Sequence, residues 1–273
     1  MKMTNLATAI KALIKKIILL FPNGERIVAW IIEKRRKPQP QPAPVSVAMV
    51  KENPPTQPAD PKSVFTDYYF NNFWGNKESV SGAGSTLEYT ENVRKEIPLL
   101  VKRFKVRKFL DAPCGDYNWF QAVQRPAGME YIGGDIVEEL VRQNQARFGD
   151  AGTSFISLDV IADALPQADM WMCRDCLFHF SYADIFKTLA NFLRSDIEYI
   201  FTSIHTDCTA NADIVTGGAR QLNLELPPFN LCKPVLYIDD WIPGFTVRRM
   251  GVWTREMVAE SLASNPEMKK YLP

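Results

Sequence analysis

The chain has 273 residues, of which 46% are hydrophobic and 23% charged, a composition typical of a globular protein with a sizeable core. The net charge of +1 conceals an asymmetry, because nine of the 32 Lys/Arg but only two of the 31 Asp/Glu lie in residues 1–37. That segment carries +7 and the remaining residues −6. Residues 38–273 are therefore a poor candidate for a general nucleic-acid binder, and no nucleic-acid partner is expected. The basic segment 1–37 is suited to an anionic partner.

The five cysteines, at positions 114, 173, 176, 208 and 232, show no spacing typical of secreted disulfide proteins. We therefore expect a reducing, cytoplasmic compartment. Cys173 and Cys176 have a spacing that zinc sites use, but a structural zinc site needs four ligands and no second pair is present. The pattern favours two small apolar residues at the end of a buried strand, and no metal is expected.

Residues 1–36 read as a basic, amphipathic helical segment. The apolar run from Leu6 to Phe21 is interrupted by three lysines, which argues against a membrane-spanning helix. Two interpretations stay open: residues 1–37 lie on an anionic membrane surface, at the inner face, or they dock on the rest of the chain or on a second copy. A cleaved targeting peptide is disfavoured, because no small-residue cleavage site is evident.

Residues 37–62 follow as a linker, with eight prolines between positions 37 and 61. Such a segment is extended and semi-rigid, so the boundary predicts one domain over residues 63–273. Within it, short apolar runs alternate with helical stretches, which predicts an α/β fold with a mainly parallel, doubly wound sheet. Strands are expected at 108–112, 132–136, 155–158, 170–173 and 199–203, and helices at 119–124, 137–148 and 184–193. Two late runs, 235–238 and 247–253, have no helix between them and predict an antiparallel pair at the sheet edge.

The sequence Phe109-Leu-Asp111-Ala-Pro-Cys-Gly115-Asp116 places an acidic residue at a strand end and a glycine four positions later. In open α/β sheets, ligands bind beyond the carboxyl ends of the strands, so this turn is expected to face a ligand. A dinucleotide site would have three glycines facing a pyrophosphate. Asp111 and Asp116 would repel a pyrophosphate but would suit a ligand that carries an ammonium and a sulfonium.

Two further acids end the following strands. Asp135 is placed to accept hydrogen bonds from both hydroxyls of a ribose, and Asp159 is placed for an adenine amino group. Each alone is commonly a helix N-cap or a solvated strand end. Three such acids at the ends of three consecutive strands indicate a nucleoside-containing ligand.

Four sequence elements match the motifs of a known protein family: Trp74-Gly75, Ser81-Gly-Ala-Gly-Ser85, Asp111 to Asp116, and Cys173-Arg-Asp175 through His179. Over residues 65–255 the chain resembles the class I S-adenosylmethionine-dependent methyltransferases, and is similar within them to a bacterial group with Ser-Gly-x-Gly-Ser, Asp-Ala-Pro-Cys-Gly-Asp and Cys-Arg-Asp-x-x-x-His motifs. The resemblance implies a Rossmann-like, doubly wound, seven-stranded mixed sheet with one antiparallel strand. It also implies S-adenosyl-L-methionine as the cofactor.

By that resemblance, the methionine half of the cofactor is lined by Asp111, Ala112 and Gly115. Asp135 holds the ribose, Asp159 with Val160 holds the adenine, and Ile136 is a further cofactor-binding residue. Ser81, Ser85 and Arg174 are expected beside the cofactor as well. The 79–86 segment could bind the cofactor carboxylate or close over the site, or Ser85 and Glu88 could form a capping box at a helix start. One departure is that the usual third glycine is missing, with Tyr117 and Asn118 in its vicinity.

The acceptor side is expected after the fourth and fifth strands. His179 is the candidate general base and Asp175 its competitor, although a lone histidine is often structural. Candidate substrate contacts are Trp74, His205, Asn211, Arg220 and Asn223, with Arg220 alternatively in a surface ion pair. We expect O-methylation of a sugar or glycan-precursor hydroxyl, with Trp74 and Trp253 as stacking platforms. A small-molecule or protein methyltransferase, and a non-catalytic S-adenosylmethionine-binding module, are the alternatives, and a nicotinamide enzyme is disfavoured.

Overall fold

The structure is a computed structural model that describes residues 56–57 and 59–271. The predicted amphipathic segment and most of the predicted linker lie outside the described residues. Of the helices within the described part, none is long and apolar enough to cross a membrane.

The described chain begins with helix α1 (Pro61–Phe70), which has Asp60 as its N-cap. An Asp60 side-chain oxygen accepts hydrogen bonds from the backbone N and the hydroxyl of Ser63, at 3.0 and 2.8 Å. Pro61 occupies the first helical position, where a missing N–H costs nothing. The helix thus begins at the last proline of the proline-rich segment, two residues before the predicted domain start.

The remaining elements alternate between strands and helices. They are α2 (Glu91–Arg103), β1 (Lys108–Asp111), β2 (Glu130–Asp135), α3 (Glu138–Phe148), β3 (Thr153–Ser157), β4 (Met170–Cys173), α4 (Tyr182–Arg194), β5 (Tyr199–Ile204), β6 (Leu236–Asp239), β7 (Arg249–Thr254), α5 (Arg255–Ala263) and α6 (Met268–Tyr271). Short 3₁₀ turns cover Ala83–Ser85, Phe120–Ala122 and Leu177–His179.

One seven-stranded sheet has the order β3-β2-β1-β4-β5-β7-β6. Strands β1 to β5 are parallel where they pair, and β7 is antiparallel to both β5 and β6. The predicted doubly wound, seven-stranded mixed sheet is therefore confirmed, including the late antiparallel pair. The chain reverses its winding between β1 and β4, so the topological switch point lies there, where ligands bind in such sheets.

Both faces of the sheet are covered by helices, and each face has its own apolar core. Alternate residues of β1, β4 and β5 point to opposite faces, as the period of two in a strand requires. Leu110, Trp171 and Ile200 pack with α4 and α5 on one face. Phe109, Met170 and Phe201 pack with α2 and α3 on the other.

The helix expected at 119–124 is wrong: the structure has only the turn Phe120–Ala122. Val123 is already extended, with φ −71° and ψ 129°. Pro126 follows soon after, and a proline disfavours helical conformation in the residue before it. Phe120 is buried in the core, so the segment is fixed by packing rather than by helical hydrogen bonds.

Candidate functional site at the carboxyl edge of the sheet

Asp111 ends β1 at the switch point, but its carboxyl group faces the protein interior. The Tyr131 hydroxyl donates a hydrogen bond to it at 2.7 Å. Burial raises the pKa of Asp111 to about 8, although the Tyr131 hydrogen bond and the charge of Arg174 oppose the shift. At pH 7 Asp111 is therefore mostly protonated, and the negative charge expected there is mostly absent.

Asp135, at the end of β2, forms a corner with the turn that follows β1. Its two carboxylate oxygens accept hydrogen bonds from the backbone N–H groups of Gly115 and Val137, both at 3.0 Å. Burial raises the pKa of Asp135 to about 6, against the effect of these donors. The group is mostly ionised at pH 7, so Asp135 brings a negative charge to this corner.

The other residues assigned to the cofactor by resemblance lie around this corner. Ala112 is fully buried, and its carbonyl accepts a hydrogen bond from the Trp171 indole at 2.9 Å. Ile136, half-buried, directly follows Asp135. Asp159 lies two residues past β3 and accepts a hydrogen bond from the Ile161 N–H at 2.8 Å, while Val160 beside it is buried. Burial raises the pKa of Asp159.

Tyr117 explains how the turn after β1 forms without its third glycine. Its backbone takes the left-handed conformation, with φ 58°, which is uncommon for a residue with a side chain. Its ring is buried against the rings of Tyr131, Phe148 and Phe155, with centroids 5.0 to 5.2 Å apart. The bulky residue is thus directed into the core on one face of the sheet.

A polar loop of residues 79–85 lies against this turn. Asp116 accepts hydrogen bonds from the Ser79 hydroxyl and the Val80 N–H, both at 2.9 Å. Gly115 has φ 56°, and a Cβ on it would stand 2.2 Å from the Ser81 hydroxyl oxygen. Glycine is therefore required at 115 both by backbone conformation and by the closeness of Ser81.

The capping box expected at Ser85 and Glu88 is wrong, because the helix starts later. α2 begins at Glu91 after Thr90. Ser85 instead ends a 3₁₀ turn, is buried, and its carbonyl accepts a hydrogen bond from the Asn118 amide at 3.0 Å. The 79–85 loop therefore belongs to the wall of the sheet edge and not to a helix entry.

The same loop reaches two other groups of predicted site residues. A Cβ on Gly82 would stand 3.1 Å from the Trp74 Cβ, and one on Gly84 would stand 2.8 Å from an Asp175 oxygen. Trp74 in turn lies near His179, with ring centroids 6.1 Å apart. The loop thus connects the cofactor-side turn with the acceptor-side residues.

Four charged side chains form a buried network behind Gly84. Asp240 binds Arg174 at 3.0 Å and Arg248 at 3.1 Å, and Asp175 binds the same two arginines at 3.3 and 2.8 Å. Arg174 also donates to the Gly84 carbonyl at 2.7 Å. All three guanidinium nitrogens of Arg174 thus have protein partners, so the structure gives this residue a role in holding the loop.

Asp175 is a stable anion in this network. Burial alone would raise its pKa, but the adjacent Arg174 and Arg248 lower it below the ordinary value. The Ser203 hydroxyl donates a further hydrogen bond to it at 3.2 Å. A carboxylate stabilised in this way is a weak proton acceptor, which argues against Asp175 as the general base.

His179 lies in the turn that follows β4, and its ring has a defined tautomer. Nδ1 is 2.8 Å from the Gly218 carbonyl oxygen. A carbonyl only accepts, so Nδ1 carries the proton and, in the neutral ring, Nε2 has a free lone pair. Burial lowers the pKa of His179, and so the ring is neutral at pH 7.

His205, after β5, has the opposite tautomer. The backbone N–H of Leu222 donates to its Nδ1 at 3.2 Å, so the proton of the neutral ring lies on Nε2. Burial is the main cause, and the charge of Arg248 the second, that lowers the pKa of His205 to about 4. The ring fixes the loop that follows β5 and has no available lone pair for base catalysis.

Residues 205–235 connect β5 to β6, and two asparagines of this loop bind the loop itself. The Asn211 amide donates to the carbonyls of Asn223 and Pro227, both at 2.8 Å, and its oxygen accepts from the Asn223 N–H at 2.9 Å. The Asn223 side chain accepts from the Glu225 N–H at 3.0 Å. Arg220, by contrast, forms no surface ion pair within residues 59–271, and its guanidinium donates to the carbonyls of Ala212 and Leu177, both at 3.2 Å.

Trp253 is not a stacking platform. It is fully buried in β7, and its indole N–H donates to the Cys232 carbonyl at 2.6 Å. Cys173 and Cys176 are buried in an apolar core, and the described residues contain no group of three or more His, Cys, Asp or Glu side chains that could hold a metal ion. All five cysteines are free thiols.

Sequence reasoning missed Asp240 and Arg248. A signal was present, because acidic residues follow the first of the two late apolar runs and Arg248 and Arg249 lie at the start of the second. An antiparallel hairpin brings these ends together at the sheet edge, as the Asp240 N–H to Arg248 carbonyl hydrogen bond of 3.0 Å shows. That edge is the one that carries Asp175.

This strand order, with its single antiparallel strand, is the fold of the class I S-adenosylmethionine-dependent methyltransferases. Among solved structures, the chain is similar to Burkholderia thailandensis 1,6-didemethyltoxoflavin-N1-methyltransferase with bound S-adenosylhomocysteine, at 15% identity over 71% of this chain and 86% of that chain, with a TM-score of 0.51. It is also similar to magnesium protoporphyrin IX methyltransferase from Synechocystis PCC 6803, at 14% identity over 72% and 100%, with a TM-score of 0.50. No family model and no curated protein sequence matches the chain, so the bacterial group stays a prediction.

Proposed function

We propose that this protein is an S-adenosylmethionine-dependent methyltransferase. The observation that carries the proposal is the corner at the switch point, where the ionised Asp135 meets the turn of Gly115. A carboxylate has about four lone-pair positions, so Asp135 can accept ribose hydroxyls in addition to its two backbone donors. The two similar solved proteins have S-adenosylhomocysteine bound, which supports this cofactor.

His179 is the general base in the proposed reaction. When bound, S-adenosylmethionine would supply a methyl group on a sulfonium sulfur, and the neutral thioether that departs is a good leaving group. Nε2 of His179 would accept the proton of the acceptor hydroxyl as its oxygen takes the methyl group, and the C–S electron pair would leave with the thioether sulfur. The Nδ1 hydrogen bond to Gly218 orients the ring and stays in place when Nε2 gains the proton.

The acceptor is proposed to be the hydroxyl of a small molecule, a sugar or a glycan precursor. Trp74 supports this, because it is half-buried beside the 79–85 loop and His179 and its face suits a sugar ring. Asn211 and Asn223 support it less, since their amides hold the loop. Attachment of residues 1–37 to an anionic membrane, on the inner face, belongs to the same proposal and rests on their charge of +7.

Calorimetric titration with S-adenosylhomocysteine tests the cofactor. The Asp135→Ala variant should bind about 10- to 100-fold more weakly, because hydrogen bonds to a charged group contribute roughly 1.5–3 kcal/mol each. Asp207→Ala, which removes an exposed carboxylate, is the matched control and should bind as the wild type does. Tight binding of NADH without binding of S-adenosylhomocysteine would refute the proposed cofactor.

Methyl transfer to a panel of sugars, nucleotide sugars and lipid-linked glycans tests the reaction. His179→Ala should lower turnover about 10²-fold or more with little change in cofactor affinity. The wild-type rate should rise with pH below neutrality, because burial lowers the pKa of His179, and the variant should lose that rise. If Asp175→Asn abolishes turnover while His179→Ala does not, the base is misassigned. Cofactor binding without transfer to any acceptor would favour a non-catalytic module.

A further inference from the structure

Arg220 is a cation without an anionic partner in the part of the chain that the structure describes. Its Nε and Nη1 donate to two backbone carbonyls, while Nη2 is buried and has no hydrogen-bond acceptor. The buried arginines near this edge, Arg174 and Arg248, each bind two carboxylates. Arg220 is therefore the exception among them.

The charge of Arg220 persists at neutral pH. Burial lowers its pKa to about 10, so the guanidinium stays protonated. The Asp213 carboxylate is close enough to influence this pKa, but its Oδ1 accepts from the N–H groups of Tyr182 and Ile214, at 2.7 and 2.9 Å. A largely buried charge is unfavourable unless an anion or strong acceptors neutralise it. Two neutral carbonyls compensate Arg220 only in part.

Arg220 lies close to His179, the proposed general base. Its backbone N–H donates to the Phe178 carbonyl at 3.2 Å, and the N–H of Gly217 donates to the His179 carbonyl at 2.8 Å. The Gly218 carbonyl holds the His179 ring. Residues 217–220 thus run beside the turn that carries His179. The charge of Arg220 also acts to lower the pKa of His179, so the guanidinium lies near that ring.

We propose that Arg220 binds an oxyanion on the methyl acceptor, so that the substrate is a small molecule with both a hydroxyl and a carboxylate or phosphate group. The two N–H donors of Nη2 are left for such a group, and hydrogen bonds between a guanidinium and an anionic oxygen are among the strong ones in proteins. This inference rests on the proposed function for the identity of the ligand as acceptor. The oxyanion site itself is measurable without turnover.

The test is a titration of the full-length protein, with arginine labelled with ¹⁵N, by inorganic phosphate and by acetate in separate series. Either anion should shift one guanidinium Nε–H resonance, and that resonance should be missing from the spectrum of Arg220→Lys. Arg220→Gln should weaken binding of the anion by about 10-fold or more. Arg107→Gln, which removes an exposed arginine, is the control and should bind as the wild type does.

The two anions distinguish the sources of the charge: tighter binding of phosphate indicates a phosphorylated acceptor, and tighter binding of acetate a carboxylated one. A shift of a different resonance, no shift with either anion, or binding of the anion by Arg220→Gln as tight as by the wild type would overturn the proposal. Should Arg220→Gln not fold, Arg220→Lys and the wild-type spectra suffice. A wild type that binds phosphate at Arg220 but does not bind S-adenosylhomocysteine would refute the proposed methyltransferase and leave the oxyanion site standing.

Discussion

Replacing Asp111 by asparagine tests the carboxyl group at the switch point whose pKa is raised most. The acid is buried, accepts a hydrogen bond from Tyr131, and has a pKa of about 8 instead of 3.8. Asparagine has nearly the same shape and cannot ionise, so it resembles the protonated acid. The variant should have the same free energy of unfolding as the wild type at low pH. As the pH rises, it should become increasingly more stable than the wild type.

The sign and size of the difference follow from linkage. The folded state holds the Asp111 proton more tightly than the unfolded chain, so the stabilisation is complete below pH 3.8 and is lost as the pH rises towards 8. Each pH unit between these values costs about 1.4 kcal/mol. Between pH 5 and pH 7 the wild type should therefore lose about 2.5 kcal/mol of unfolding free energy that Asp111→Asn retains.

Urea denaturation at pH 5, 6, 7 and 8 measures this difference. Asp135 is present in both proteins, so its own titration cancels to first order. Asp207→Asn, an exposed carboxylate, should follow the wild type at every pH. Parallel pH profiles for the wild type and Asp111→Asn would show that Asp111 is ionised in the folded protein, and would refute the reasoning.

Three further outcomes are expected. Gly115→Ala should lower the free energy of unfolding more than Gly128→Ala. Both residues have positive φ, which costs ~1–2 kcal/mol for a residue with a side chain, but only the Cβ at 115 would collide with Ser81. Equal losses in urea titrations would contradict the close packing. Asp240→Asn should cost about 3–5 kcal/mol, since it leaves two buried arginines undercompensated, and a loss under about 1 kcal/mol would contradict this. Deleting residues 1–58 should leave S-adenosylhomocysteine affinity unchanged in calorimetry and abolish flotation of the chain with anionic liposomes. Unfolding of the shortened chain would instead show that the basic N-terminal segment packs on the domain.

The strands were predictable because their signal is local. Met170–Cys173 is an apolar run that becomes a strand with those bounds, and Tyr131 to Asp135 ends in two glycines and an acid at the sheet edge. The glycines have a packing reason that the sequence does not reveal. A Cβ at Gly133 would stand 2.5 Å from the Phe155 ring, and one at Gly134 would stand 2.8 Å from Leu158.

The parts that sequence reasoning missed depend on contacts between distant residues. Nothing near Asp111 indicates that Tyr131 buries its carboxyl group, and nothing near Trp253 indicates that Cys232 satisfies its indole. The tautomer of His179 depends on the Gly218 carbonyl, 39 positions away. Local patterns therefore located the sheet edge and its acids, whereas the protonation states came only with the structure.

The buried four-charge network also limits how this sequence can change over generations. Losing any one of Arg174, Asp175, Asp240 or Arg248 leaves an uncompensated charge, at a cost of about 3–5 kcal/mol that is a large share of a domain's stability. Exchanging all four for apolar residues of similar volume is often neutral. Descendants of a common ancestor should therefore keep the whole set or none of it. A lineage without these four residues would lack the hydrogen bond from Arg174 to the Gly84 carbonyl, and other contacts would have to hold the 79–85 loop in place.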